Sequence, residues 1–284
     1  MTEPAETSVA PSRRAERRTR TRPRSRSSLS VIGVLGELLI TAGVLVMLFL
    51  GWQLWWNDAI MAKEQSNAAS EISQEWIEQD RLAQAEAEAE ASASPDPDDD
   101  GETSSATDFG DPIVAAVPGN ADAFAVLYVP RFGADYHRTV AEGTGHDVLN
   151  STRLGIGHYP GTQMPGEVGN FAVAAHRSAY GGGMHLINEL QLNDAIYVQT
   201  ADGYYTYRYR DMEYVSPSVV EVIAPVPNAP DAAAVDRLIT LTSCNPLLST
   251  AERIIAYGVF ESWQPTSAGA PTDLAPIIAA QAAG

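Results

Sequence analysis

The sequence predicts a mainly β domain, a single closed or nearly closed barrel with a few short helical pieces, standing behind one membrane-spanning helix. Three observations lead there. From about residue 121 the chain falls into short apolar or β-branched runs punctuated by Gly and Pro, the texture of strands and tight turns. Roughly eight such runs in about 145 residues suit closure, which leaves no long sheet edge open. Ahead of them, "VIGVLGELLITAGVLVMLFL" carries one charge, Glu37, and at helical rise its twenty residues cover about 30 Å, the hydrocarbon thickness of a bilayer.

Taken in order, residues 1–30 hold eight arginines and three glutamates with no apolar run able to build a core, which predicts a basic disordered arm. Residues 31–56 are the transmembrane helix. A secretory signal would have a shorter apolar core and a small-residue cleavage site, whereas Trp52, Trp55 and Trp56 stand where an interfacial aromatic belt belongs. Glu37 lies near one end of the span, where a carboxyl costs less than at the bilayer centre. Residues 57–111 carry two basic and sixteen acidic residues, so the positive-inside rule puts the N-terminus in the cytoplasm and the rest of the chain outside the cell. Residues 57–119 read as an acidic stalk and linker, rich in helix formers as far as residue 93 and then Pro-, Ser- and Asp-rich.

Within the folded part, 120–264, the expected strands are 123–130, 136–142, 170–176, 195–200, 204–215, 219–223, 237–243 and 254–261. "TADGYYTY" sets Asp-Gly between two alternating runs and predicts a hairpin. Short helical pieces are expected at "HDVLNST", "GMHLINEL" and "DAAAVD". Residues 265–284 are Ala- and Pro-rich, too short for a second span, and read as a flexible tail.

The net charge of −18 is spread unevenly, but residues 112–284 still hold sixteen acidic against eight basic residues, which argues against a nucleic-acid partner. The chain has one cysteine, Cys244, in "ITLTSCNP". An exported domain with one cysteine has no internal disulfide, so the thiol is either buried and inert or chemically employed. Pro246 cannot donate to a ladder, which puts Cys244 at a strand end. A thiol nucleophile needs a group that favours its thiolate and gives a proton to the leaving group, and donors for the oxyanion. His176 ends the apolar run "NFAVAAH" before the flexible "SAYGGG", and faces a cleft or is a satisfied rim histidine. Arg253 opens the last apolar run nine residues after Cys244, as a partner or as a surface charge. Neither His158 nor His185 pairs with a cysteine or carboxylate at metal-ligand spacing, and no metal and no cofactor are expected.

Three stretches in this order, "AHRSAYGG", "ITLTSCNP" and "STAERIIAYG", resemble the sortase family of cysteine transpeptidases. "GIGHYPGTQMPGEVGNFAVAAHRSAYGG" and "YVQTADGYYTYRY" are similar to class E sortases of high-GC Gram-positive bacteria, and the likeness covers about residues 121–263. Two departures stand out. Class members usually have a Pro-Phe after the histidine loop, where this chain reads "YGGGMHLINEL", and commonly Thr-Thr-Cys where it has Thr242-Ser243-Cys244. The resemblance implies an eight-stranded sortase barrel with Cys244, His176 and Arg253 as catalytic residues, and Tyr159 and Ser243 beside the substrate. It implies cleavage of an LAXTG- or LPXTG-like sorting signal between Thr and Gly, and transfer of the secreted protein to an amine of peptidoglycan or its lipid-linked precursor. The other readings are a pilus-polymerising sortase, against which the short tail argues, and a membrane-tethered binding domain with a degenerate site.

Overall fold

The computed structural model describes residues 30–52, 56–93 and 109–283. The arm expected at 1–30 and the Pro- and Asp-rich part of the linker fall almost wholly outside them. The chain divides into two units at Leu48 and Phe49. In the first, helix α1, Val31–Gly51, is the one helix among the described residues long and apolar enough to cross a membrane, with a mean hydropathy of 2.4 and no buried residue.

In the second unit, eight strands close into a barrel in the order β1-β2-β3-β4-β7-β8-β6-β5. They are β1 Ala123–Tyr128, β2 His137–Glu142, β3 Gly155–His158, β4 Gly169–Ala175, β5 Ala195–Gln199, β6 Gly203–Val215, β7 Arg237–Asn245 and β8 Glu252–Pro265. Two neighbouring pairs, β2 with β3 and β4 with β7, run parallel, and the others antiparallel. Parallel neighbours need a crossover. Between β2 and β3 it carries the one-turn helix α3, His146–Leu149.

Alternation along each strand decides what fills the barrel. Phe171, Val173 and Ala175 of β4, Ile239 and Leu241 of β7, and Ile254 and Ala256 of β8 point inward with Leu127, Ile156, Tyr205 and Tyr207. The alternate set, which includes Tyr128, Tyr197 and Tyr204, forms a second apolar layer on the outside.

That outer layer is covered by helix α2, Asn57–Ala93, through Ala69, Ile72, Trp76 and Ile77, and by Leu274 and Ile278 at the start of helix α4, Ala275–Ala283. Small side chains at Ala68 and Ala69 let α2 approach the sheet closely. Polar side chains complete the contact. Ser73 Oγ donates to Gln199 Oε1 at 2.7 Å, and the Tyr128 hydroxyl reaches the same oxygen at 2.8 Å. Residues expected to be stalk and tail are thus partly packed on the barrel.

The strand set also differs in two places from the expected one. β3 was not expected, because Gly155-Ile156-Gly157-His158 is short and half glycine. Residues 219–223 form no strand: Glu221–Ile223 is a single 3₁₀ turn that buries only Val222. "DAAAVD" is not helical either.

Candidate active site

Register brings the candidate residues to one end of β4, β7 and β8. The last parallel pair of β4 and β7 sets Ala174 opposite Thr242. Two residues further along each chain come His176 and Cys244, on the outward-facing side by the period of two. In the antiparallel pair, Cys244 lies opposite Arg253.

His176 and Cys244 line one cleft of about 400 Å³ together with Arg177, Ser178, Leu248, Ser249 and Thr250. Cys244 is half-buried, as a thiol must be to meet both a substrate and a partner base. The His176 ring stands 5.0 Å from that of Tyr180. Its Nε2 lies 2.8 Å from Asn150 Oδ1, an oxygen that can only accept, so Nε2 donates and Nδ1 is left to exchange a proton. Burial lowers the His176 pKa below the usual imidazole value and the neighbouring His146 lowers it further, while Asp58 at the start of α2 acts in the opposite sense.

Arg253 is half-buried, and its Nη1 donates back to the Thr250 and Glu252 carbonyls at 3.2 and 3.0 Å. Its other nitrogens have no hydrogen-bond partner among the described residues. The Tyr159 hydroxyl lies 3.0 Å from Thr242 Oγ1 on the same outward side. Since Thr242 Oγ1 donates to the Val173 carbonyl at 3.2 Å, the phenol is the donor between them.

Ser243 is placed differently from the expectation that set it beside the substrate. Its side chain turns inward, it is 4% exposed, and its hydroxyl donates to the Ala175 carbonyl at 2.8 Å. The hydroxyl that β7 offers outward is that of Thr242.

Three neighbours of the site carry no sequence signal of their own. Asn150 closes α3 and reaches His176. Arg177 donates to Asn188 at 2.9 Å and to Asn245, the residue after Cys244. Asp58 accepts from the Ala179 amide at 2.8 Å, so the first turn of α2 touches the loop that follows His176. The spacing of these residues along the chain, from 58 to 177, is what hides them.

A closed barrel that gathers a thiol, an imidazole and a guanidinium-bearing strand at one rim has the layout of a cysteine transpeptidase. The sortase-domain family model matches residues 127–261. Sortase SrtE1 of Streptomyces coelicolor is 31% identical over 272 residues, which cover 93% of this chain and 67% of the relative. Sortase SrtE2 of the same organism is 29% identical over 248 residues, 85% of this chain and 86% of the relative. Among solved structures, the SrtA sortase from Actinomyces oris matches with TM-score 0.54 and 40% identity, over 58% of this chain and 93% of that one. Sortase E from Streptomyces avermitilis matches with TM-score 0.50 and 35% identity, over 55% and 99%. The chain belongs to the sortase family, and it resembles the class E members.

Proposed function

We propose that this protein is a membrane-anchored sortase that cleaves an LAXTG- or LPXTG-like sorting signal between Thr and Gly and passes the protein to an amine of peptidoglycan or its precursor. The observation that carries the reading is the shared cleft of Cys244 and His176, with Arg253 as the cross-strand partner of Cys244. The Cys244 thiolate attacks the Thr carbonyl carbon, and the oxyanion that forms is stabilised by the Arg253 guanidinium. As the C–N bond breaks, His176 gives its Nδ1 proton to the departing glycine amine, leaving a thioester. An incoming amine attacks that thioester and loses its proton to His176, and the thiolate leaves.

The basic residues ahead of α1 and the acidic ones behind it support an N-terminus in the cytoplasm and a barrel outside the cell. Tyr159 supports the groove floor by holding Thr242. The test is to incubate the full-length chain in detergent with an LAXTG or LPXTG peptide and a small amine, beside a Cys244→Ala control, and to read products by mass spectrometry. Cleavage between Thr and Gly with the amine attached, absent from the control, is the expected result. A thiol that stays unacylated by either peptide and inert to a small alkylating agent would overturn the reading in favour of a degenerate binding domain.

A further inference from the structure

A second site lies away from the Cys244 cleft, around a buried cation that Asp135 faces without a direct ion pair among the described residues. Arg138 on β2 is 7% exposed and forms no ion pair among the described residues. Its Nη1 donates to Ser66 Oγ at 2.5 Å and to the His137 carbonyl at 2.8 Å. Nε is buried with no partner, and Nη2 makes no hydrogen bond among the described residues. The guanidinium lies 4.9 Å over the Tyr136 ring. A guanidinium withdrawn from water calls for an anion, and a ring face, a hydroxyl and a carbonyl do not supply one.

The space beside it is a cleft of about 540 Å³ between α2 and β2, whose polar lining is Lys63, Ser66, Asn67, Asp135, His137 and Arg138. It shares no lining residue with the Cys244 cleft. The His137 ring is fully engaged, with Nδ1 on the Asp135 carbonyl at 2.8 Å and Nε2 on Ser70 Oγ at 2.7 Å, and burial lowers its pKa, so it adds no charge. Two cations, Arg138 and exposed Lys63, therefore face one carboxylate, Asp135. This excess of positive charge stands in a domain that is acidic as a whole.

We propose that this cleft binds a phosphate group, supplied by a soluble phosphate or pyrophosphate or by a phospholipid headgroup, with Arg138 and Lys63 as its cations and the Asn67 amide as a neutral donor. A tetrahedral phosphate, free or as a phosphodiester, offers oxygens in several directions and so can accept from both cations at once. The proposal does not depend on the transpeptidase reading.

The experiment is thermal unfolding of the full-length chain in two settings. In the first, uncharged detergent micelles are given millimolar pyrophosphate against sodium chloride of equal ionic strength. In the second, nanodiscs of phosphatidylcholine are compared with nanodiscs containing phosphatidylglycerol. Binding at about ten times Kd raises the midpoint by about 3–6 °C, and the rise is lost in Arg138→Gln and in Lys63→Gln. Lys63→Gln alters an exposed side chain and keeps the test open if Arg138→Gln does not fold. A rise with pyrophosphate alone assigns a soluble phosphate, and a rise with phosphatidylglycerol alone assigns the headgroup. No rise in either setting, or a rise that survives in Lys63→Gln, overturns the proposal and leaves Arg138 as a strut between α2 and β2.

Discussion

Arg177, the residue after His176, donates a hydrogen bond from Nη1 to Oδ1 of Asn245, the residue after Cys244. Its Nη2 donates to Asn188 Oδ1 at 2.9 Å, and the side chain is 9% exposed. One guanidinium thus ties together the two chain segments that carry the proposed nucleophile and proton donor. Hydrogen bonds from a charged donor are worth about 1.5–3 kcal/mol, or roughly tenfold to a hundredfold in rate where they hold reacting groups in place. Arg177→Gln is expected to lower kcat by that factor with a smaller change in KM for the peptide, as measured by steady-state cleavage.

Arg253→Ala is expected to cost about a hundredfold to a thousandfold in turnover, the usual effect of losing one oxyanion donor, while the circular dichroism of the barrel stays the same. Glu252 and Thr250 lose only carbonyl contacts that water can replace. Equal losses for Arg253→Ala and Arg253→Lys would point to the bidentate shape of the guanidinium as well as its charge.

The His176 environment sets the direction of two pH effects. Where a thiolate is the nucleophile and an imidazolium the proton donor, the active form grows with the histidine pKa, and the acid limb of kcat/KM follows that pKa. Asp58 raises the His176 pKa through its charge, and Asp58→Asn keeps an acceptor for the Ala179 amide. The substitution is expected to move the acid limb to lower pH and to lower the plateau. Asn150→Asp places a carboxylate on Nε2 in place of an amide oxygen and is expected to move the limb the other way. A pH profile of peptide cleavage for both variants checks the opposite signs.

Among the described residues, one ion pair is buried, that of His158 and Glu142. His158 Nδ1 lies 2.5 Å from Glu142 Oε2, its Nε2 lies 2.8 Å from Thr162 Oγ1, and its ring stacks on Phe171 at 5.2 Å. His158 thereby fixes the loop that starts with Tyr159. Glu142→Leu leaves a buried imidazole nitrogen without its partner and is expected to cost about 3 kcal/mol in urea unfolding. The double variant Glu142→Leu/His158→Phe is expected to cost less than the single one, because the imidazole goes with its carboxylate and only the part-buried Thr162 hydroxyl and Gln163 carbonyl lose a contact.

What the sequence disclosed follows from how local each signal is. β6 and β7 have long alternating or β-branched runs, and Pro246 fixed where β7 stops. Even the inward turn of Ser243 is implied by that alternation, since Ile239 and Leu241 face the core. β3 escaped because its two glycines dilute a four-residue run, and a parallel partner, β2, supplies the pairing that the run does not advertise. Asn150, Arg177 and Asp58 escaped because an amide, a guanidinium and a carboxylate look alike on the surface and at a site until the fold brings them to His176. The cover over the outer tyrosines escaped for another reason: α2 meets the barrel through Gln65, Ala68, Ala69 and Ser73 as well as Ile72, Trp76 and Ile77, and three large apolar residues in a 37-residue polar helix give no amphipathic stripe along its length.

That cover leads to a prediction about where the domain begins. A fragment starting near residue 112 keeps all eight strands but loses Ala69, Ile72, Trp76 and Ile77 from the layer over Tyr128, Tyr197 and Tyr204. It also leaves Gln199 Oε1 and the Tyr128 hydroxyl without Ser73. Burying a large apolar side chain contributes about 1.5–3 kcal/mol, so losing even half of this contact removes about 3–5 kcal/mol. At about 2–4 °C per kcal/mol for a domain of this size, the fragment from 112 is expected to melt about 10 °C or more below one that starts at residue 57. It should also bind a hydrophobic dye that the longer fragment does not, because the uncovered tyrosines form a contiguous apolar patch. Equal melting temperatures for the two fragments would mean that α2 rests on the barrel without stabilising it.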